Sequence, residues 1–269
     1  MRKSHRLPAV ALIAALLPPT AAGALGLQWL GGDTVEVAAQ RSVRGGGKSE
    51  GPLLGYLARP EAPGRHPAVV VLHGCGGFGT NDVVAADVLK SYGYVALALD
   101  SLGDEDSCGK PGSSLAEAED ARLALDWLAQ QGFVDPDRVA VLGFSMGATA
   151  TLDTVAAGER PGSNGRQFRA AVAFYPRCRQ QPGPMAEPTL ILIGDRDDWT
   201  LLSWCQEMMT RRAGKGAPVD LAVYPGATHA FNVPSAARQS HGHHLEYDPQ
   251  ATADAWQRVH AFLQAQLKR

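Results

Sequence analysis

The chain has 269 residues, of which 45% are hydrophobic and 19% are charged, and its formal net charge at pH 7 is −2. This length suits a single α/β domain. The weak negative charge argues against a nucleic acid or an anionic membrane surface as the partner.

The first 24 residues have the pattern of a secretory signal peptide. A basic start precedes an apolar core over residues 7–17, and Ala22-Gly23-Ala24 fits a cleavage site. The apolar core is shorter than the roughly 20 residues that a membrane-spanning helix needs. We therefore expect a signal peptide over 1–24, one domain over 25–269, no membrane span, and a periplasmic or extracellular location.

Strands and helices alternate along the rest of the chain. The apolar patterns predict strands over 34–42, 53–58, 67–73, 94–99, 138–142, 168–175, 189–194 and 219–224. They predict helices over 82–91, 114–131, 199–213 and 248–267. In the helix over 114–131 the leucines, including Leu115, are expected to face inward, and Glu117 and Arg122 outward. Such alternation predicts a mostly parallel sheet covered by helices on both faces.

The segment Gly143-Phe144-Ser145-Met146-Gly147 joins a predicted strand to a predicted helix. A serine at a sharp strand-to-helix turn, with glycines two residues away on each side, is the pattern of a nucleophile elbow. A larger side chain at either glycine position would collide with neighbouring backbone. Ser145 is therefore the candidate nucleophile.

A candidate acid and a candidate base follow Ser145 along the chain, in the order Ser, Asp, His that accompanies a nucleophile elbow. Asp197 lies just after the strand over 189–194, and His229 follows the strand over 219–224. The carboxyl ends of parallel strands meet at one edge of a sheet, where ligands bind. A serine hydroxyl needs a nearby base, and a carboxylate orients the imidazole. Asp195 and Asp198 remain alternatives as the acid.

A developing oxyanion also needs hydrogen-bond donors. The N–H of Met146, directly after the nucleophile, is one candidate. The loop over 74–77 is expected to supply the other, with Cys75 as the donor and Gly76 as the alternative. His73 is expected to pack and orient this loop rather than act as a second base.

Together these segments resemble the dienelactone hydrolase family of the α/β-hydrolase superfamily. The matching motifs are His73-Gly74-Cys75-Gly76-Gly77, the stretch over 92–100, the Ser145 elbow, Phe174-Tyr175-Pro176, the stretch over 194–197 and Thr228-His229-Ala230-Phe231. The resemblance implies an α/β-hydrolase fold without a large lid, hydrolysis of esters or lactones, and no metal or other cofactor. It also supports Asp197 as the acid.

Two departures from the family pattern bear on the substrate. The namesake enzymes use a cysteine nucleophile, where this chain has Ser145. They also hold a substrate carboxylate with arginines, and the corresponding stretches here, 101–106 and 230–233, contain none. The first stretch is acidic and would repel an anionic lactone. We therefore expect a neutral or weakly polar ester as the substrate.

Four cysteines in an exported chain suggest two disulfide bonds, for which three connectivities are possible. The favoured pairs are Cys75–Cys108 and Cys178–Cys205, because each would join segments expected near the active edge. A histidine cluster, His241, His243 and His244, lacks an obvious thiol or carboxylate partner, so we expect solvated loop residues rather than a metal site.

These features favour a secreted serine hydrolase that cleaves carboxylic esters or lactones through an acyl-enzyme on Ser145. Its partner would be a small-molecule substrate. A peptidase of the same fold is one alternative, although such peptidases usually carry a gating module for which this chain has no room. A non-catalytic binding protein is the other, although such relatives usually lose residues of the triad.

Overall fold

The computed structural model describes residues 32–42, 51–101, 112–158, 162, 165–180 and 184–267. The predicted signal peptide, residues 1–24, lies outside them, as does Cys108. Within the described residues no helix has the length and apolar character needed to cross a membrane.

An eight-stranded sheet forms the centre of the fold, with the strand order β1-β2-β4-β3-β5-β6-β7-β8. Its strands are β1 (Asp33–Ala38), β2 (Leu53–Ala58), β3 (His66–Leu72), β4 (Val95–Asp100), β5 (Val134–Phe144), β6 (Ala171–Phe174), β7 (Thr189–Gly194) and β8 (Val219–Tyr224). The pairs β1–β2 and β2–β4 are antiparallel, and all other neighbours are parallel. The predicted α/β-hydrolase architecture is therefore confirmed.

Five α-helices are described alongside this sheet, and they are numbered here in chain order. They are α1 (Thr80–Ser91), α2 (Ser113–Ala129), α3 (Met146–Val155), α4 (Leu202–Arg211) and α5 (Pro249–Gln266). The central strands are continuous apolar runs that are buried on both faces, as parallel strands covered by helices should be. This packing holds the carboxyl ends of β3, β5, β7 and β8 at one edge.

Helix α2 packs only partly as predicted: Leu128 is buried and Leu123 packs against the core, as expected, but three other residues differ. Leu115 is 54% exposed, whereas Glu117 is fully buried and Arg122 is nearly so. The inward face consists mainly of small residues that let the helix approach its neighbours closely, including Ala118, Ala121 and Ala124. The prediction was wrong for Leu115, Glu117 and Arg122, because the small residues as well as the leucines determine which face of the helix packs inward.

The segment with His241, His243 and His244, which were expected to be loop residues, contains a short hairpin. Strands β9 (Arg238–Ser240) and β10 (His243–Leu245) pair antiparallel, and Leu245 makes a bridge to His229. The hairpin therefore lies against the segment that carries the candidate base.

Candidate active site

The nucleophile elbow has the geometry that its glycines predicted. Ser145 adopts φ 53° and ψ −109°, a left-handed backbone that is costly for a residue with a side chain. A Cβ added to Gly143 would lie 2.2 Å from the Gly147 carbonyl oxygen. A Cβ on Gly147 would lie 2.5 Å from the carbonyl oxygens of Leu72 and of the following residue. Only glycine fits at these two positions.

The structure brings Ser145, His229 and Asp197 into one line of hydrogen-bonding atoms. The distance from Ser145 Oγ to His229 Nε2 is 2.9 Å, and that from His229 Nδ1 to Asp197 Oδ2 is 2.8 Å. A carboxylate only accepts hydrogen bonds, so Nδ1 carries the proton in the neutral ring. Nε2 is then left to accept the proton of the Ser145 hydroxyl, as a general base must.

The Asp197 carboxylate is buried and receives four hydrogen bonds. Oδ1 accepts from the backbone N–H groups of Trp199 and Thr200 at 2.9 and 2.8 Å. Oδ2 accepts from His229 and from the Thr200 hydroxyl at 2.8 Å each. All four contacts donate to the carboxylate, and a carboxylate in this position can stabilise an imidazolium.

The two alternative aspartates have other partners. Asp195 Oδ1 accepts from the Gly226 N–H at 2.7 Å and so ties together two turns. Asp198 Oδ1 lies 3.3 Å from His243 Nδ1, on the exposed side of the site. Of the three aspartates, Asp197 is the one that the structure places against the His229 ring.

The two predicted oxyanion donors belong to segments that meet at the nucleophile. Met146 is the first residue of α3. Cys75 lies in the loop after β3, where a Cβ added to Gly74 would come within 3.4 Å of Ser145 Cβ. The Gly147 N–H donates to the His73 carbonyl at 3.0 Å, which joins the elbow to this loop. The roles of Met146 and Cys75 in holding an oxyanion remain predictions.

Aromatic side chains surround the His229 ring. The buried Tyr175 meets it edge-on at 4.6 Å between ring centroids, and Trp199 packs against it at 5.0 Å. Burial and the charges of Asp82 and Asp197 raise the pKa of Tyr175 well above its usual value, so its hydroxyl stays protonated. This hydroxyl donates to Asn232 Oδ1 at 2.6 Å. The surroundings hold the imidazole ring in place.

The histidine cluster is part of the outer wall of the site. Trp199 stacks on His243 at 4.7 Å and also contacts His241. His244 pairs with Glu246 at 3.1 Å. Across the described ranges, no group of three or more histidine, cysteine, aspartate or glutamate residues is arranged to hold a metal ion.

The predicted disulfide bond between Cys178 and Cys205 is present, with a Cα–Cα distance of 4.8 Å. It joins the short 3₁₀ helix Cys178–Gln180 to α4. The predicted bond between Cys75 and Cys108 includes a residue outside the described ones and remains a prediction.

Sequence reasoning missed two features of this site. One is the Thr200 hydroxyl on the acid, although its position three residues after Asp197 is typical of an Asx-type turn. The other is a pair of hydrogen bonds in which Asn232 accepts from Tyr175 and donates to Asn81 Oδ1 at 3.1 Å. No local pattern could predict the second feature, because its members lie far apart in the sequence.

The family model of the dienelactone hydrolase family matches residues 53–267, which is most of the chain. The chain belongs to the dienelactone hydrolase family. It is 30% identical over 239 residues to a "Probable 2-oxo-3-(5-oxofuran-2-ylidene)propanoate lactonase" of Bradyrhizobium sp., with 78% of this chain and 88% of the relative covered.

Solved structures share the fold of this family member. A dienelactone hydrolase-like promiscuous phosphotriesterase from metagenomic libraries superimposes with a TM-score of 0.67 at 22% identity, covering 88% of this chain and 99% of that one. The apo form of Thermogutta terrifontis esterase 2 gives a TM-score of 0.66 at 20% identity, covering 87% and 94%. At these identities the likeness shows the fold alone.

Proposed function

We propose that this protein is a secreted serine hydrolase that cleaves carboxylic esters or lactones through an acyl-enzyme on Ser145. The observation that carries the proposal is the continuous line from the Ser145 hydroxyl through His229 to the buried Asp197 carboxylate. Membership of a family of ester and lactone hydrolases supports the same reaction class. So does the lactonase name of the Bradyrhizobium relative.

In the first half-reaction Ser145 Oγ attacks the substrate carbonyl carbon while His229 Nε2 takes the hydroxyl proton. The carbonyl oxygen becomes negatively charged, and the N–H groups of Cys75 and Met146 are proposed to hold it. When the intermediate collapses, His229 returns the proton to the leaving alkoxide, and the acyl group stays on Ser145.

In the second half-reaction a water molecule replaces the alcohol. His229 takes a proton from the water as it attacks the acyl carbon, and the proton then passes to Ser145 Oγ as the new carboxylic acid leaves. Asp197 keeps the ring oriented and stabilises its positive charge in both halves. This cycle consumes one water and uses no cofactor.

The substrate is proposed to be a neutral or weakly polar ester. The stretch over 230–233, just past the candidate base, has no cation, and its Asn232 already bonds Tyr175 and Asn81. The stretch over 101–106, which corresponds to a carboxylate-binding stretch of the namesake enzymes, has three acidic residues and no cation. An anionic lactone would meet repulsion there instead of a binding arginine.

Export is the remaining part of the proposal. The disulfide bond between Cys178 and Cys205 is compatible with an oxidising compartment, where such bonds persist. Expression of the full chain in a bacterial host, followed by fractionation and N-terminal sequencing, tests this part. Mature protein that begins at Leu25 in the periplasm or medium is expected, and uncleaved cytoplasmic protein would contradict export.

Hydrolysis of p-nitrophenyl esters of increasing acyl length tests the reaction, with an anionic lactone in the same panel. We expect turnover of the neutral esters that is lost in Ser145→Ala and kept in Ser91→Ala, whose serine is exposed on α1. A wild type no faster than Ser145→Ala on every substrate would contradict the proposal and would favour the binding-protein alternative.

A further inference from the structure

His73 lies between two backbone carbonyl groups at the start of the loop that faces Ser145. Its Nδ1 is 2.7 Å from the Gly74 oxygen, and its Nε2 is 2.7 Å from the Ser101 oxygen. The side chain is buried, with 2% exposure. Both ring nitrogens are therefore within hydrogen-bonding distance of a carbonyl oxygen.

These two contacts determine the protonation state of the ring. A carbonyl oxygen can only accept a hydrogen bond, whereas a neutral imidazole has one N–H and one lone pair. A neutral ring would therefore direct a lone pair at one of the two oxygens in a buried setting, where an unpaired polar group is costly. Two N–H groups, and hence an imidazolium, satisfy both contacts.

Buried carboxyl groups from two helices, Asp82 and Glu117, interact with this ring. Glu117 of α2 is fully buried, and neither of its side-chain oxygens has a hydrogen-bond partner among the described residues. Asp82 of α1 is also buried, and its Oδ1 has no such partner. Asp120 of α2 lies close by and accepts from the Ser101 hydroxyl at 2.5 Å.

The balance of these effects favours the charged ring. Burial opposes the positive charge, but the interactions with Glu117 and Asp82 and the two carbonyl contacts outweigh it, so the pKa of His73 lies above its usual value. Burial raises the pKa of Asp82 to about 6 and that of Glu117 to about 8. Near neutral pH Asp82 is therefore the mostly ionised carboxyl group beside the ring, and Glu117 adds negative charge only as it ionises at higher pH.

The Gly74 carbonyl and the Cys75 N–H belong to the same peptide unit. Because this unit is planar and trans, its N–H points opposite to its C=O. When His73 donates to the Gly74 carbonyl, the Cys75 N–H on the other side of the peptide therefore points away from the His73 ring. Hydrogen bonding to the carbonyl also polarises the peptide and strengthens its N–H as a donor.

We infer that His73 is a positioning residue of the oxyanion site, a buried imidazolium that orients the Gly74–Cys75 peptide so that the Cys75 N–H faces the substrate oxygen. This inference rests on the proposed function, because it assigns the oxyanion to an ester-cleaving reaction. It adds a fixed positive charge near the site that is separate from the proton carried by His229.

The charge state of the ring is tested on the wild-type protein by two-bond ¹H–¹⁵N correlation spectra between pH 6.5 and 8. Loss of its signals in His73→Gln assigns His73. We expect ring shifts of a doubly protonated imidazole throughout this range. The shift pattern of a neutral ring at pH 7 would overturn the inference, whether or not the protein hydrolyses esters.

The positioning role is tested by kinetics of His73→Gln beside the matched control His260→Gln, whose ring stacks on Tyr92 away from the site. Removing an oxyanion donor typically costs about 10²–10³ in kcat, so its misalignment should cost at least about tenfold, with KM changed far less. The inhibition constant of a trifluoromethyl ketone, whose adduct carries an oxyanion, should rise by a similar factor.

An inhibition constant and a kcat in His73→Gln within twofold of the control would overturn the positioning role. If His73→Gln fails to fold, the spectra of the wild type still decide whether the imidazolium exists. Failure of the proposed function has a different signature, because the wild type itself would then show no Ser145-dependent turnover.

Discussion

Replacement of Thr200 by valine removes one hydroxyl from the candidate acid while leaving the shape of the side chain almost unchanged. The hydroxyl lies 2.8 Å from Asp197 Oδ2, 3.0 Å from the Tyr175 carbonyl oxygen and 3.3 Å from His229 Nδ1. Thr200 is 3% exposed, so water does not readily replace the lost donor. We expect the variant to fold and to hydrolyse esters more slowly.

The size of the effect follows from the number of donors that remain. A hydrogen bond to a charged group contributes about 1.5–3 kcal/mol. Asp197 keeps its two backbone donors and the His229 N–H, so we take the lower value, about 1.5 kcal/mol. Each 1.36 kcal/mol in the activation free energy is tenfold in rate, and kcat should therefore fall by about tenfold.

The assay is steady-state hydrolysis of p-nitrophenyl acetate by Thr200→Val, Thr200→Ser and the matched control Thr189→Val. Thr189, the first residue of β7, is fully buried, and its hydroxyl donates to the Glu187 carbonyl. Thr200→Ser should recover most of the lost kcat, and Thr189→Val should stay near the wild type. A kcat for Thr200→Val within twofold of the control would refute the reasoning.

Three further variants test the acid, the packing and the buried charge. Asp197→Asn should lower kcat by about 10³–10⁴, because the amide favours the wrong imidazole tautomer. Asp195→Asn should lower kcat far less, and equal losses of kcat in the two variants would exclude Asp197 as the acid. Gly194→Ala would place a methyl group 2.0 Å from a carbonyl oxygen, so denaturation should show a loss of at least about 2 kcal/mol in the free energy of unfolding. In the control Gly132→Ala the added methyl group meets nothing within 4 Å, so the free energy of unfolding should change little. Burial raises the pKa of Glu117 to about 8, so the folded protein keeps a proton that the unfolded chain releases above its ordinary pKa. Stability should therefore fall by up to about 1.4 kcal/mol per pH unit between pH 5.5 and 7.5, and an unchanged slope in Glu117→Gln would contradict this assignment.

The site could be predicted where its chemistry follows local patterns. Ser145 and its flanking glycines form one turn, and that turn requires glycine for steric reasons visible in the sequence. Asp197 and His229 each follow an apolar strand, and parallel strands direct their carboxyl ends to a common edge. The chain order of these three residues and their positions after strand ends were therefore sufficient to predict that they lie close together.

The rest of the site depends on contacts between distant segments. The inward face of α2 is set by small residues that allow close packing, so the leucine pattern placed Leu115 and Glu117 on the wrong sides. The hairpin of β9 and β10 consists of two short polar strands whose pairing no apolar period indicates. The two carbonyl contacts of His73 come from separate strand ends, and only the folded sheet brings them to one ring.

The most direct measurement is mass spectrometry of the protein after reaction with a fluorophosphonate, with the modified residue identified by peptide fragmentation. The account predicts one adduct per chain, located on Ser145, with labelling much slower in His229→Ala and absent in Ser145→Ala. An unlabelled wild type under conditions that label a known serine hydrolase, or an adduct on a different residue, would contradict it.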